Sequence, residues 1–180
     1  DVFNALDEQL IADLGAACAE LDADASVRVV VLAGRGKHFS AGADLNWMKR
    51  ASVFTEEENR ADARKFAHML RALSDMSKPT VARVQGAALG GGTGLAAACD
   101  MAVASVDAQF ATSEVKFGII PAVISPYVLR AIGPRHALRY FQSGERFSAQ
   151  RALAMGLVTE VCECDQLDAT VAQLIGLLLG

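Results

Sequence analysis

The sequence GAALGGGTG at residues 86–94 is the stretch that decides the fold. The apolar residues that lead into it predict a strand over residues 80–88, and its glycines lead into a predicted helix through Ala98. Glycine and alanine leave the backbone N–H groups of such a turn uncovered, and the N-terminus of a helix carries a partial positive charge. The stretch therefore predicts a turn whose amides are available to a group that carries negative charge.

A second stretch of small residues, FSAGADL at residues 39–45, has the same character. It follows an apolar run over residues 27–32, which predicts a buried strand that ends at Gly34. Together the two stretches have the composition expected of two halves of an oxyanion hole, a pair of backbone N–H donors that stabilises developing negative charge. Either stretch alone would favour a plain tight turn, and it is the ordered pair that favours the oxyanion hole.

The rest of the chain alternates between helix patterns and strand patterns. Apolar residues at three- and four-residue spacing predict helices, and short β-branched runs predict strands. The predicted helices cover residues 4–22, 56–75, 121–132, 137–141, 148–155 and 165–179, and the further predicted strands cover residues 101–104 and 157–162. Because no linker or repeat interrupts this alternation, we expect one α/β domain over residues 1–180.

Composition argues against several classes of function. The 180 residues are 52% hydrophobic and carry a formal charge of −4 without a long basic run, so we expect no nucleic-acid partner. The four cysteines show no C-x-x-C spacing and the three histidines are scattered, which argues against a metal site and a disulfide framework. No apolar stretch reaches the length of a membrane span. We expect a cytoplasmic protein from a bacterial source, in which the cysteine thiols are reduced.

Two further motifs, FATSEV at residues 110–115 and FGIIP at residues 117–121, follow the glycine-rich stretches in order. With them the chain resembles the enoyl-CoA hydratase/isomerase (crotonase) superfamily over nearly its whole length. The resemblance implies a spiral of repeated ββα units. It also implies that the strand preceding Asn4 in the family and the helical segment following Gly180 are absent from this sequence.

The resemblance assigns a role to individual residues. It implies that the amides of Ala43 and Gly91 form the oxyanion hole, and that Glu114 is the catalytic acid and base. It also implies that coenzyme A lies along the backbone of the first stretch, at Ala41, Asp44 and Leu45. From the residues alone, a carboxylate at position 114 is also compatible with a solvated helix cap.

One position departs from the family pattern. Hydratases of the family carry a second glutamate two residues after the glycine run, where this chain has Gly94. A double-bond isomerase needs a single acid/base, so isomerisation remains open. However, the segment PAVISPY at residues 121–127 resembles the branch that hydrates 3-methylglutaconyl-CoA. We therefore expect hydration of a branched or carboxylated enoyl-CoA.

The resemblance also sets expectations for ligands and partners. It implies an acyl-CoA thioester as substrate, with no separate cofactor because coenzyme A is part of the substrate. It implies a homotrimer or a hexamer made of two trimers. A non-catalytic homologue that binds acyl-CoA or RNA is the third possibility, although the acidic charge disfavours RNA.

Overall fold

Strands and helices alternate along the computed structural model, which describes residues 3–180. The strands are β1 (Val30–Ala33), β2 (Thr80–Val84), β3 (Ala87–Leu89), β4 (Met101–Ser105), β5 (Gln109–Ala111), β6 (Phe147–Ser148) and β7 (Glu160–Cys162). The α-helices are α1 (Glu8–Ala23), α2 (Leu45–Ala51), α3 (Glu56–Ser74), α4 (Gly91–Ala98), α5 (Ser125–Ser143), α6 (Ala149–Met155) and α7 (Leu167–Leu179). Short 3₁₀ helices cover Glu114–Phe117 and Cys164–Gln166. The α/β class is confirmed.

The strands form two separate sheets. The first has the order β1-β2-β4-β7 and is parallel throughout, as expected where helices connect successive strands. The second has the order β3-β5-β6, in which β3 and β5 are parallel and β6 is antiparallel to β5. No helix within residues 3–180 combines the length and the apolar character needed to cross a membrane.

The single strand predicted over residues 80–88 is wrong, because the chain changes sheet in the middle of it. β2 ends at Val84 and β3 begins at Ala87 in the other sheet. Gly86 makes this change possible: its φ is +58°, and a Cβ at this position would overlap the Lys37 carbonyl oxygen. A continuous apolar pattern does not reveal this break.

The helix predictions are confirmed for α3, α6 and α7, although α7 begins at Leu167 rather than at residue 165, and they differ from the structure at other termini. The helix predicted from residue 4 begins at Glu8, because the Asp7 carboxylate accepts a hydrogen bond from the Leu10 amide and caps α1 there. The two helices predicted on either side of Gly133-Pro134 are confirmed: α5 consists of two helical stretches that meet at a kink at Gly133, where φ is +73° and ψ is +162°. It begins at Ser125 rather than at residue 121.

The core is built from small and branched apolar side chains on both faces of the parallel sheet. Along β2, Ala82 and Val84 belong to the larger cluster, which faces the second sheet and helices α1, α3, α4 and α5. The alternate residue Val81 belongs to a smaller cluster with Val103, Leu167 and Val171 under α7. This alternation places α7 on the opposite face of the sheet from the glycine-rich segments.

Candidate active site

The three motif segments meet at one end of the second sheet. Leu89 at the end of β3 is paired in register with Ala111 at the end of β5, so the residues that follow each strand start side by side. Ser40 forms a bridge to Ala88 on the other side of β3, with Ser40 N donating to Ala87 O at 3.0 Å and Leu89 N donating to Ser40 O at 3.0 Å. Segments far apart in sequence are thereby joined by backbone hydrogen bonds.

The amide of Ala43 points away from Leu6, the residue to which the backbone on either side of it is bonded. Leu6 N donates to Gly42 O at 2.7 Å and Asp44 N donates to Leu6 O at 2.8 Å, which forms a parallel bridge around Ala43. In a trans peptide, C=O and N–H point in opposite directions, so the Ala43 N–H points to the side opposite Leu6. Within residues 3–180 it donates to no protein acceptor.

The amide of Gly91 is the first of α4 and points out of the helix. Gly90 O accepts the first helical bond from Gly94 N at 3.1 Å, so the N–H on the other side of that peptide points beyond the helix N-terminus. In the described part of the chain this amide also has no protein acceptor. The dipole of α4 adds positive potential at the same place.

Little space is left for a side chain at Gly42 or at Gly91. Gly42 has φ +91°, and a Cβ there would lie 2.8 Å from the carbonyl oxygen of Leu89. At Gly91 a Cβ would overlap Leu6 Cδ1 and lie 3.1 Å from Phe66 Cζ. Gly42 therefore packs directly on the backbone of Leu89, while Gly91 packs against the side chains of Leu6 and Phe66.

Ala43, Gly91 and Glu114 line one cavity of about 330 Å³. Its wall is predominantly apolar, which suits a site that buries an acyl group. The other lining residues come from Leu6, from α2 and α3, and from the loop before α5; they are Leu6, Trp47, Met48, Ala51, Asn59, Asp62, Ala63, Phe66, Ile119, Ile120, Pro121, Ala122, Val123 and Ile124.

Glu114 begins the 3₁₀ helix that follows β5, and its carboxylate lies beside the glycine turn. Oε1 lies 3.4 Å from the place that a Cβ at Gly90 would occupy. Oε2 is buried and has no hydrogen-bond partner among the described residues. Burial raises the pKa of the Glu114 carboxyl above its ordinary value, because removal from water disfavours the charged form. The carboxylate is therefore suited to gain and lose a proton.

The position of the family's second glutamate is filled by another side chain. A Cβ at Gly94 would overlap the Cγ2 methyl of Ile124, which is 2% exposed and lines the cavity. Gly94 itself is buried. The Ile124 side chain therefore occupies the space that a side chain at position 94 would need.

The three residues expected to contact coenzyme A lie beside the cavity but outside its lining. Ala41 N donates to Phe3 O at 3.0 Å, so this amide is already used in the fold. The Asp44 carboxylate caps α2 by accepting from the amides of Asn46 and Trp47 at 2.8 and 2.9 Å. Leu45 is 64% exposed.

Helix α3 contributes polar side chains to the cavity that the sequence motifs did not indicate. Asp62 lines the cavity and its Oδ2 accepts a hydrogen bond from Trp47 Nε1 at 2.8 Å, and Asn59 lies one turn before it. Asn59, Asp62, Ala63 and Phe66 are spaced at intervals that place them on one face of a helix. This spacing is a signal that could have identified the face of α3 that borders the site.

The sequence model of the family described as enoyl-CoA hydratase/isomerase matches residues 1–179. The chain belongs to the enoyl-CoA hydratase/isomerase family. Its fold is the crotonase fold: an enoyl-CoA hydratase structure from Shewanella pealeana superimposes with a TM-score of 0.96 at 44% identity, covering 99% of this chain and 67% of the other.

Relatives in the family carry hydratase names. The crotonyl-CoA hydratase of Syntrophomonas wolfei is 33% identical over 180 residues, covering 99% of this chain and 68% of its own length. A relative from Thermus thermophilus is 39% identical over 158 residues. The match covers 88% of this chain but only 62% of that relative, so the chain spans less than two thirds of the longer protein.

Proposed function

We propose that this chain forms the core of an enoyl-CoA hydratase, which adds water across the α,β double bond of an acyl-CoA thioester. The observation that supports the proposal is that Ala43 and Gly91, whose backbone amides have no protein acceptor among residues 3–180, line the same cavity as Glu114. The names of the family relatives support the same reaction class.

In this mechanism the two amides bind the thioester carbonyl oxygen. Negative charge develops on that oxygen when a nucleophile adds to the β carbon, and two fixed donors stabilise it without reorganisation. The loss of one such donor typically costs about 3 kcal/mol of transition-state stabilisation. The dipole of α4 acts in the same direction as the Gly91 amide.

Glu114 moves the proton. Its carboxylate accepts a proton from water while the water oxygen bonds to the β carbon, and the π electrons of the double bond move to the thioester oxygen as an enolate. Protonated Glu114 then gives its proton to the α carbon, and the enolate returns to a thioester. A carboxyl with a raised pKa is an effective acid for the second step and is regenerated as a base.

The coenzyme is proposed to lie along the backbone outside the cavity. Ala41, Asp44 and Leu45 flank Ala43 on this segment, and the small side chain at Ala41 and the exposed one at Leu45 allow a pantetheine arm to approach the main chain. The thioester then reaches the amide of Ala43 from outside, while the acyl group enters between α2, α3 and the loop before α5.

The finer proposal is that the acyl group is branched or carboxylated, as in 3-methylglutaconyl-CoA. It rests on the resemblance of residues 121–127 to that branch, and four residues of this segment line the cavity. The test is to compare kcat/KM for crotonyl-CoA, 3-methylcrotonyl-CoA and 3-methylglutaconyl-CoA, whose acyl groups differ in chain length, branching and charge. We expect the highest kcat/KM for the last of these, and a clear preference for crotonyl-CoA would overturn this part of the proposal.

Replacement of Glu114 by Gln tests the role of the carboxylate. We expect Glu114→Gln to abolish hydration while the affinity for a saturated acyl-CoA changes little, because the amide fills the same volume without serving as a base. Glu20→Gln, an exposed carboxylate on α1, is the matched control and should retain full turnover. Turnover by Glu114→Gln at the wild-type rate would remove the proposed acid/base.

If the wild type binds acyl-CoA without turnover, the chain is a binding homologue.

Isomerisation is the second candidate, favoured by the Ile124 side chain where hydratases carry a second carboxylate. An isomerase moves a proton between carbons and consumes no water. Reaction in water labelled with heavy oxygen distinguishes the two: we expect the label at the β carbon of the product. A shifted double bond without the label would make this chain an isomerase.

A further inference from the structure

A buried threonine connects the two segments on which the proposed chemistry depends. Thr93 is the third residue of α4 and is fully buried. Its Oγ1 lies 2.7 Å from the carbonyl oxygen of Ala88 and 2.9 Å from that of Ala111, and it accepts a hydrogen bond from the Ala111 amide at 3.3 Å. One hydroxyl thus bonds the first turn of α4 to two strands, β3 and β5.

These hydrogen bonds connect the glycine turn with the segment that carries Glu114. The carbonyl oxygen of Ala111 accepts a hydrogen bond from Gly90 N at 2.7 Å, and the Ala111 amide donates to Thr93 Oγ1, so Ala111 is bonded to both ends of the glycine turn. Gly91 lies between Gly90 and Thr93 in the sequence, and Glu114 is three residues beyond Ala111. The hydroxyl and the Gly90 amide therefore fix the glycine turn against the segment that carries the carboxylate.

Thr93 does not belong to the cavity wall, and so it acts only through other groups. We propose that Thr93 is a positioning residue that sets the separation of the Gly91 amide and the Glu114 carboxylate through its bonds to Ala88 and Ala111. This inference rests on the proposed function. The carbonyl oxygen must meet the amide while the α carbon meets the carboxylate, so displacement of one segment against the other costs rate.

Thr93→Val tests the role of the hydroxyl, because valine keeps the shape of the side chain and removes its hydrogen bonds. We expect kcat for enoyl-CoA hydration to fall about 10- to 100-fold, since small misplacements of reacting groups have effects of this size. KM should change by less than about threefold, because the segment at residues 41–45 is not bonded to Thr93. Thr93→Ser restores the hydroxyl and should recover most of kcat.

Thr170→Val is the matched control. Thr170 lies in α7, on the face of the sheet away from the site; it is 8% exposed, and its Oγ1 donates at 3.0 Å to the carbonyl oxygen of Gln166, the residue before α7. This variant also loses a buried hydroxyl bonded to a backbone carbonyl, and we expect it to lose stability while keeping the wild-type kcat. A loss of kcat in Thr93→Val alone, recovered in Thr93→Ser, supports positioning.

Two results would overturn the inference. If Thr93→Val keeps the wild-type kcat, or if Thr93→Ser is as slow as Thr93→Val, the hydroxyl does not position the site. Thr93→Ala gives the same comparison should Thr93→Val fail to fold. Absence of hydration in the wild type with every enoyl-CoA tested is a different result, which rejects the proposed function and this inference together.

Discussion

Gly42 shows how one residue can set the direction of an amide. Its φ is +91°, and a Cβ at this position would lie 2.8 Å from Leu89 O, which leaves no room for a side chain. We expect Gly42→Ala to destabilise the fold by about 1–3 kcal/mol, and to lower kcat because the neighbouring Ala43 amide is displaced. Denaturant unfolding and steady-state hydration measure the two effects.

Gly36 provides the control for that substitution. Its φ is +76°, but a Cβ there would meet no atom within 4 Å. Gly36→Ala therefore places alanine in a left-handed backbone conformation, which should lower the free energy of unfolding by about 1–2 kcal/mol without a steric clash. It should leave kcat unchanged. Equal losses of kcat in the two variants would show that the contact with Leu89 does not matter for activity.

Glu114 links activity to stability through its protonation. Its pKa is raised in the fold because burial disfavours the charged carboxylate, so the wild type loses stability as pH rises through this pKa. Below the ordinary carboxyl pKa the group is protonated both folded and unfolded, and the penalty vanishes. We expect Glu114→Gln to unfold at a higher temperature than the wild type at neutral pH. The difference should disappear in acid, and a pH-independent difference would contradict this account.

At the scale of elements, the contact between α4 and α5 depends on the absence of a side chain at Gly94. A Cβ there would overlap Ile124 Cγ2, so Gly94→Ala should cost about 1–3 kcal/mol through overpacking. Ile124→Ala removes that methyl and should recover part of this loss in the double variant, which a double-mutant cycle measures by thermal or denaturant unfolding. Additive losses would show that the two positions do not share this space.

Elements were predictable from sequence where one local rule determined them. α3 follows from its apolar face, its first-turn acids and a capping box between Thr55 and Glu58, which the structure contains. The break between β2 and β3 was not predictable, because both strands are apolar and the change of sheet depends on contacts of Gly86 with a distant loop. α2 was missed because its seven residues are too few for a periodic signal.

The candidate site was predictable in part for a similar reason. Backbone amides at Ala43 and Gly91 need small residues around them, and small residues are visible in the sequence. Asp62 and the partner of Gly94, Ile124, were not identified, because their place depends on how helices pack across the cavity. Sequence patterns thus indicated the groups fixed by backbone, while the side chains contributed by packing required the structure.

At the scale of the whole molecule, the parallel sheet separates the candidate site from the layer formed by α7. Val81 and Val103 face Leu167 on α7, whereas the alternate residues of the same strands face the larger core that supports the glycine-rich segments. The two faces share a backbone but not side-chain contacts. Stability and activity should therefore be separable by substitution on the α7 side.

Leu167→Ala makes that separation measurable. The side chain is 1% exposed, and its truncation should cost about 2–5 kcal/mol through lost burial and a residual cavity. At a temperature where the variant remains folded, kcat and KM for hydration should equal the wild-type values, because the main chain of the sheet keeps its register. Phe66→Ala, in the cavity wall beside Gly91, should by contrast alter kcat or KM. A loss of kcat in folded Leu167→Ala would mean that the α7 face controls the geometry of the site across the sheet.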